Sequence, residues 1–325
     1  MEKKMTSIGG QALIEGVMMR GPQKIAMAVR KPDGEIVIEE KEVKGIGKWA
    51  KIPIIRGVVS FVSSMVIGVQ ALMFSAKFFD VEEEPKKEDS KNTEKTSDKV
   101  LNDEKKADKK KAKKEDSQNG LSDTAMYFTV MLSVLLSVAL FILLPNFIAD
   151  LVVPEGMVTT YNIVENIIKV AIFMVYLIAV SKMKDIQRVF EYHGAEHKSI
   201  FCYENGEELT PENVKKYSRF HPRCGTSFLL FVIVLSIVFF SLLPRFDFVL
   251  ANMAIRLLLM PVVAGVSYEI IKFAGKSKNK CVAFLNKPGM WLQKLTTREP
   301  DLEQIEVAIA SLKAVIPENG EDDRW

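Results

Sequence analysis

Histidine, cysteine and tryptophan are scarce in this sequence, with three of each among 325 residues. Cys202, Cys224 and Cys281 are odd in number and have no framework spacing, which excludes a disulfide-stapled secreted domain and points to a reducing compartment. An excess of one charge is also lacking. Lys and Arg number 44 against 41 Asp and Glu, so the net charge is +3 and there is no one-signed basic face for nucleic acid. The first 20 residues hold no uninterrupted apolar core and carry Glu15 inside their hydrophobic patch, so they do not read as a signal peptide. The N-terminus is expected in the cytosol.

Apolar residues are plentiful, at 48%, yet the mean hydropathy is only +0.09. That average combines two opposite kinds of segment: long apolar runs nearly free of charge, and charged stretches between them. Such a pattern predicts an α-helical polytopic membrane protein with soluble elaborations. About four transmembrane helices and one interfacial or re-entrant helix are expected, with a small N-terminal β-rich cytosolic unit.

Residues 1–53 form that β-rich unit. Ile25–Arg30 and Glu35–Glu39 are β-prone and flank Asp33-Gly34, a hairpin signal because Gly accepts the positive φ of the turn. Upstream, Gly9–Pro22 is unusually glycine-rich for so apolar a stretch. Turns between short strands explain it; the functional alternative puts Glu15 and Arg20 at a site. Residues 54–80 are apolar but carry polar groups throughout, Arg56 among them, and so read as an interfacial, re-entrant or spanning helix. Residues 81–121 are almost wholly Lys, Glu, Asp, Ser and Asn, the composition of a disordered linker.

Two hairpins follow, over 122–181 and 226–275, with spans at Ala125–Phe147, Ile163–Ser181, Thr226–Leu243 and Val249–Ala274. Lys and Arg crowd the loop at 182–225 and the residues just after the last span, so both stretches and both termini are assigned to the cytosol of a multi-pass cell-membrane protein. Segment 276–325 begins with an interfacial Trp291 and ends in an amphipathic helix with Leu302, Ile305, Ile309 and Leu312 on one stripe. That stripe is expected to pack on the N-terminal unit.

All three histidines lie in the loop at 182–225. His193 and His197 are one helical turn apart and can reach one ion, and Glu196 between them completes an H-x-x-E-H pattern of the inverted-zincin kind. A bound metal lowers the pKa of water towards ~7, and a neighbouring carboxylate can take the proton. His221 and Cys224 repeat metal-ligand spacing just before the third span, where Pro222 and Gly225 favour a bend. The ligand count decides the role. Four ligands (His193, His197, His221 and Cys224) close the sphere and make it structural, whereas three leave a place for water. Glu196 is the expected general base, and Arg223 or Arg20 the stabiliser of developing negative charge. Glu269 and Arg256, both inside the last span, each need a partner: Arg256 or a nearby Lys (or a metal) for Glu269, and Asp247, Glu165 or Glu269 for Arg256.

Several blocks of the chain (GGQALIEGVMMRGP from Gly9, EYHGAEHKSI from Glu191, HPRCGTSF from His221, GVSYEIIK from Gly265, PGMWLQKLTTREP from Pro288, and IEVAIASLKAV from Ile305) resemble the YqhQ family of bacterial membrane proteins. The resemblance covers nearly all of the chain except the charged linker. It implies a membrane protein of a family without an assigned reaction, described as predicted metal-dependent enzymes, with the metal site on His193, Glu196, His197, His221 and Cys224.

The expected function is therefore that of a membrane metal-dependent hydrolase, using a divalent ion, Zn²⁺ first in view, held by His193, His197 and His221, and acting at the cytosolic face on a peptide bond or a lipid-linked group. The alternative is a non-enzymatic scaffold or transport factor with a structural metal site. A transporter ranks third, for want of an inverted repeat. Membrane lipids are the expected partners, an unknown protein is a possible second one, and no nucleic acid is expected.

Overall fold

Asp33-Gly34 does close a hairpin: Gly34 takes φ +90° and donates its N–H to the Lys31 carbonyl. The hairpin is the last of three in an antiparallel meander of β1 (Gly9–Leu13), β2 (Gly16–Arg20), β3 (Lys24–Arg30) and β4 (Ile36–Glu42). The computed structural model describes residues 5–43, 52–79, 128, 131–154, 156–244, 246, 248–276 and 280–317. The glycine-rich stretch supplies β1 and β2, in register Gly10 to Met19 and Ala12 to Val17. β2 and β3 are apolar at consecutive positions because both faces of the sheet are covered. Val17, Met19, Ala26 and Ala28 belong to one cluster, and Met18, Ile25, Met27 and Val29 to another.

The first cluster is completed by α4 (Lys184–Glu204) and α9 (Leu302–Val315), through Tyr192, Ala195 and Ile200 and through Ile305, Ile309 and Leu312. α9 starts where a capping box forms, Asp301 accepting from the Gln304 N–H while the Gln304 side chain accepts from the Asp301 N–H. The C-terminal stripe therefore packs on the N-terminal unit as expected, except that Leu302 stays exposed. The second cluster is completed by α1 (Ile55–Ala76), through Ala71 with Ile67 and Phe74. Residues 54–80 are thus no separate appendage: their helix covers one face of the sheet.

Among the described residues, four helices are long and apolar enough to cross a membrane. They are α1, α2 (Met131–Val152), α3 (Val158–Val180), and the Ala251–Phe273 stretch of α7 (Val249–Lys276). Three match spans read from the sequence, with shifted bounds. The fourth expected span, Thr226–Leu243, forms the shorter α6 (Gly225–Ser241), whose 17 residues lie at the low end of spanning lengths. α1 takes the fourth place. α2 belongs to a unit of its own, Glu83–Pro154, and contains a π-helical turn at Ala139–Leu143. α5 (Pro211–Lys215) and α8 (Lys280–Thr296) complete the described elements. The expected linker at 81–121 and the Asp247 offered as a partner lie outside the described residues, as does the side chain of Cys281.

The charges inside the apolar helices are paired, as their cost in hydrocarbon requires. Arg256 of α7 meets the fully buried Glu165 of α3, which also holds Lys169 one turn along. Glu269 pairs with Arg56 on α1, its Oε1 accepting from the guanidinium Nε at 2.6 Å. Arg56 had not been considered as that partner.

Candidate metal centre

The chain folds so that one face of α4 carries the chemistry. His193, His197 and Glu204 fall at helical spacing on that face, and Glu196 flanks it. The helix runs unbroken through Gly194, although glycine weakens helices. A close contact explains the residue: a Cβ at 194 would lie 2.0 Å from the Arg298 carbonyl oxygen, and the Arg298 N–H donates to Phe190 at 2.9 Å. The chain entering α9 is thereby laid directly against α4.

His193, His197 and Cys224 converge, with ligand atoms within 4.8 Å of one another. The tautomers follow from the hydrogen bonds. Nδ1 of His193 donates to the Thr296 carbonyl at 2.8 Å, and Nδ1 of His197 donates to the Arg219 carbonyl. A carbonyl has no proton to give, so each Nδ1 carries a ring hydrogen, and in the neutral ring each Nε2 presents a lone pair. The two lone pairs face the shared centre. Nε2 of His193 is 3.2 Å from the Cys224 sulfur, and Nε2 of His197 is buried with no hydrogen-bond partner. Cys224 caps the N-terminus of α6, its sulfur accepting from the N–H and the hydroxyl of Thr226. Imidazoles oriented through Nδ1 by backbone carbonyls are the usual outer support of metal ligands, and the orphaned Nε2 is the atom an ion would satisfy. The donor set of two imidazoles and a thiol suits Zn²⁺.

Glu196 adjoins this centre, one carboxylate oxygen 3.8 Å from the Nε2 atoms of both His193 and His197. Burial raises its carboxyl above the usual range, against the opposing pull of His193 and of the Gly10 N–H. Gly10 comes so close that a Cβ there would be 3.0 Å from the Glu196 side chain and 2.5 Å from the Met18 carbonyl. The glycine-rich strand therefore does contribute to the site, through its backbone.

His221 stands next to the three-ligand group, its ring 5.6 Å from that of His197 and stacked near Phe201. Its Nε2 faces Glu204 and Arg223, and the Gln293 side chain clamps its backbone, donating to the carbonyl and accepting from the N–H. Burial pushes its pKa down to about 4, so it is neutral at pH 7. Arg223 pairs with Glu204 and donates to the Thr6 carbonyl, and the Thr6 N–H donates to Glu204. Burial alone would raise the Glu204 carboxyl; the His221 and Arg223 contacts hold it below the usual range. Glu204 and Gln293 were missed in the sequence. Glu204 lies on the same α4 stripe as the histidines, a signal that was available; nothing local marks Gln293.

A cavity of about 740 Å³ opens onto these groups between α4, the sheet and α1. Arg20 lines it, as do Ser64 and Ile67 of α1. Glu15 does not: it sits in the β1–β2 turn at φ 49°, paired with Arg188 and accepting from the Tyr192 hydroxyl. Cys202 is a packing residue, its thiol pushed up to about 11 by burial.

The family model described as "Protein of unknown function (DUF1385)" matches residues 52–318. The chain is 35% identical over 317 residues to "Uncharacterized protein YqhQ" of Bacillus subtilis (strain 168), covering 95% of this chain and 92% of that protein. No solved structure matches it.

Proposed function

This chain belongs to the DUF1385 family, and from its side-chain geometry we propose a membrane metal-dependent hydrolase acting at the cytosolic face. The observation that carries the reading is the buried, unpartnered Nε2 of His197 aimed at the same point as His193 and Cys224. Those three residues hold a divalent ion, Zn²⁺ by donor type, while His221 supports the loop that presents Cys224. When bound, such an ion supplies a Lewis acid and acidifies water to a pKa of about 7.

The remaining work falls to the chain. Glu196 is the general base, one carboxylate oxygen lying 3.8 Å from the Nε2 atoms of both His193 and His197. Arg20, on the cavity wall, offers a cation to charge that develops on the substrate. Arg223, proposed from the sequence for the same task, also lines the cavity, held there by its pairing with Glu204 and its donation to the Thr6 carbonyl.

A structural site is the second reading, favoured by the placement of Glu196 equally near both Nε2 atoms, where it can serve as a fourth ligand. Elemental analysis of the purified protein is expected to find about one metal ion per chain; a folded, metal-free protein overturns both readings. Glu196→Gln separates them. A base predicts retained metal with turnover lowered by about 10²–10⁴-fold, and a ligand predicts metal loss.

A further inference from the structure

α1 divides cleanly along its length. Phe61, Val62, Met65, Val66, Val69 and Met73 form an exposed stripe of large apolar side chains without a charge. The opposite face sets small residues, Gly57, Ser60, Gly68, Ala71 and Ser75, beside Ile67 and Phe74, which pack on the sheet. That face is in contact from end to end. Gly57 meets Gly265 of α7, where a Cβ would come within 2.9 Å, and Arg56 pairs with Glu269. One turn on, Phe61, at the edge of the exposed stripe, has its ring centroid 5.7 Å from that of Phe228 in the first turn of α6. Gly68 then approaches Gln11 of β1, and Ala71 joins the sheet's own cluster.

These contacts tie α1 to the start of α6, the second half of α7 and the sheet, all on one side of the α6–α7 hairpin. Cys224 and Phe228 open α6, Gly265 and Glu269 lie in the second half of α7, whose C-terminal end bears the lysines, and the sheet is packed on α4. A helix crossing the bilayer would instead carry its last turns about 30 Å from its first. A charge-free apolar stripe on a helix tied to one surface, continuous at Phe61 with apolar α6, fits the acyl chains of that leaflet.

We propose that α1 lies in the plane of the membrane with its Phe61–Met73 stripe in the lipid, and that the cavity behind it takes an amphiphilic ligand from that leaflet. The cavity has both kinds of lining such a ligand needs: apolar Ile67, Met18 and Val43, and polar His193, Glu196 and Arg20. The placement of α1 stands alone, whereas reading the amphiphile as substrate rests on the hydrolase proposed above.

Both halves are tested in full-length protein in phosphatidylethanolamine–phosphatidylglycerol vesicles. A fluorescent amino acid is placed at Phe61, Met65 or Met73 and quenched by lipids carrying nitroxides at shallow or deep positions. Equal, shallow depths are expected at all three. A depth that changes by about 18 Å from Phe61 to Met73, the rise of a crossing helix, overturns the placement, as does the absence of quenching. A photo-crosslinker at Ile67 is expected to capture lipid, and capture of protein alone overturns the second half. Metal content measured on the same preparation keeps the ideas apart: metal without lipid capture defeats the amphiphile, and lipid capture without metal defeats the hydrolase.

Discussion

His193 and His197 each give one nitrogen to a backbone carbonyl, which leaves Cys224 as the ligand most open to test. Cys224→Ser replaces a soft thiolate by a hydroxyl and is expected to lower metal affinity at least tenfold, measured by chelator competition. His221→Ala should spare most of the metal while destabilising the fold. The sequence pointed to all four of His193, His197, His221 and Cys224, and their clustering was legible because three histidines in one loop are rare in a chain so poor in them. The division of labour among them was not, since it depends on acceptors (Thr296 and Arg219) brought from elsewhere by folding. Protonation gives a further expectation. His221 is neutral when folded with a pKa of about 4, against ~6.5 unfolded, so below pH 6.5 the unfolded chain binds more protons. Stability is thus full above pH 6.5 and falls by on the order of 3 kcal/mol as pH drops to 4, with the depressed Glu204 adding loss of the same sign. Thermal melts of chelated protein from pH 7.5 to 4 check this, and a flat profile refutes it.

Among the elements, α4 depends on one missing side chain. Gly194→Ala would drive a methyl into the Arg298 carbonyl, and separation of the 298–300 segment from α4 is expected to cost about 1–3 kcal/mol, despite the better helix propensity of alanine. A raised melting temperature in that variant would show the contact to be unimportant. The hairpin at Asp33-Gly34, the amphipathic α9 and the long apolar helices were all readable, because each is encoded in local spacing or turn chemistry. α1 was the ambiguous element for a physical reason. Its polar residues were read as interruptions of a span, whereas Gly57 and Gly68, where α7 and β1 come close, gave no such signal.

At the level of the whole molecule, the sheet, α4 and α9 form one body on which α1 packs, and its side of the membrane was assigned from the lysines and arginines of 182–225. A cysteine introduced at Lys215 is expected to react with an impermeant thiol reagent in inside-out vesicles and not in intact cells. Labelling in intact cells would invert the orientation. The charge pairs between apolar helices were half legible: Glu165 was among the partners foreseen for Arg256, but Arg56 was not foreseen for Glu269, because pairing across 213 positions is decided by how α1 returns to α7.

The Thr296 carbonyl and the Gln293 clamp come from α8, late in the chain, yet they orient His193 and His221 about a hundred and about seventy positions earlier. During synthesis the histidines and Cys224 leave the ribosome without those supports. A nascent chain arrested before residue 290 would consequently hold its ligands in loose order, and ion capture would mark the completion of translation.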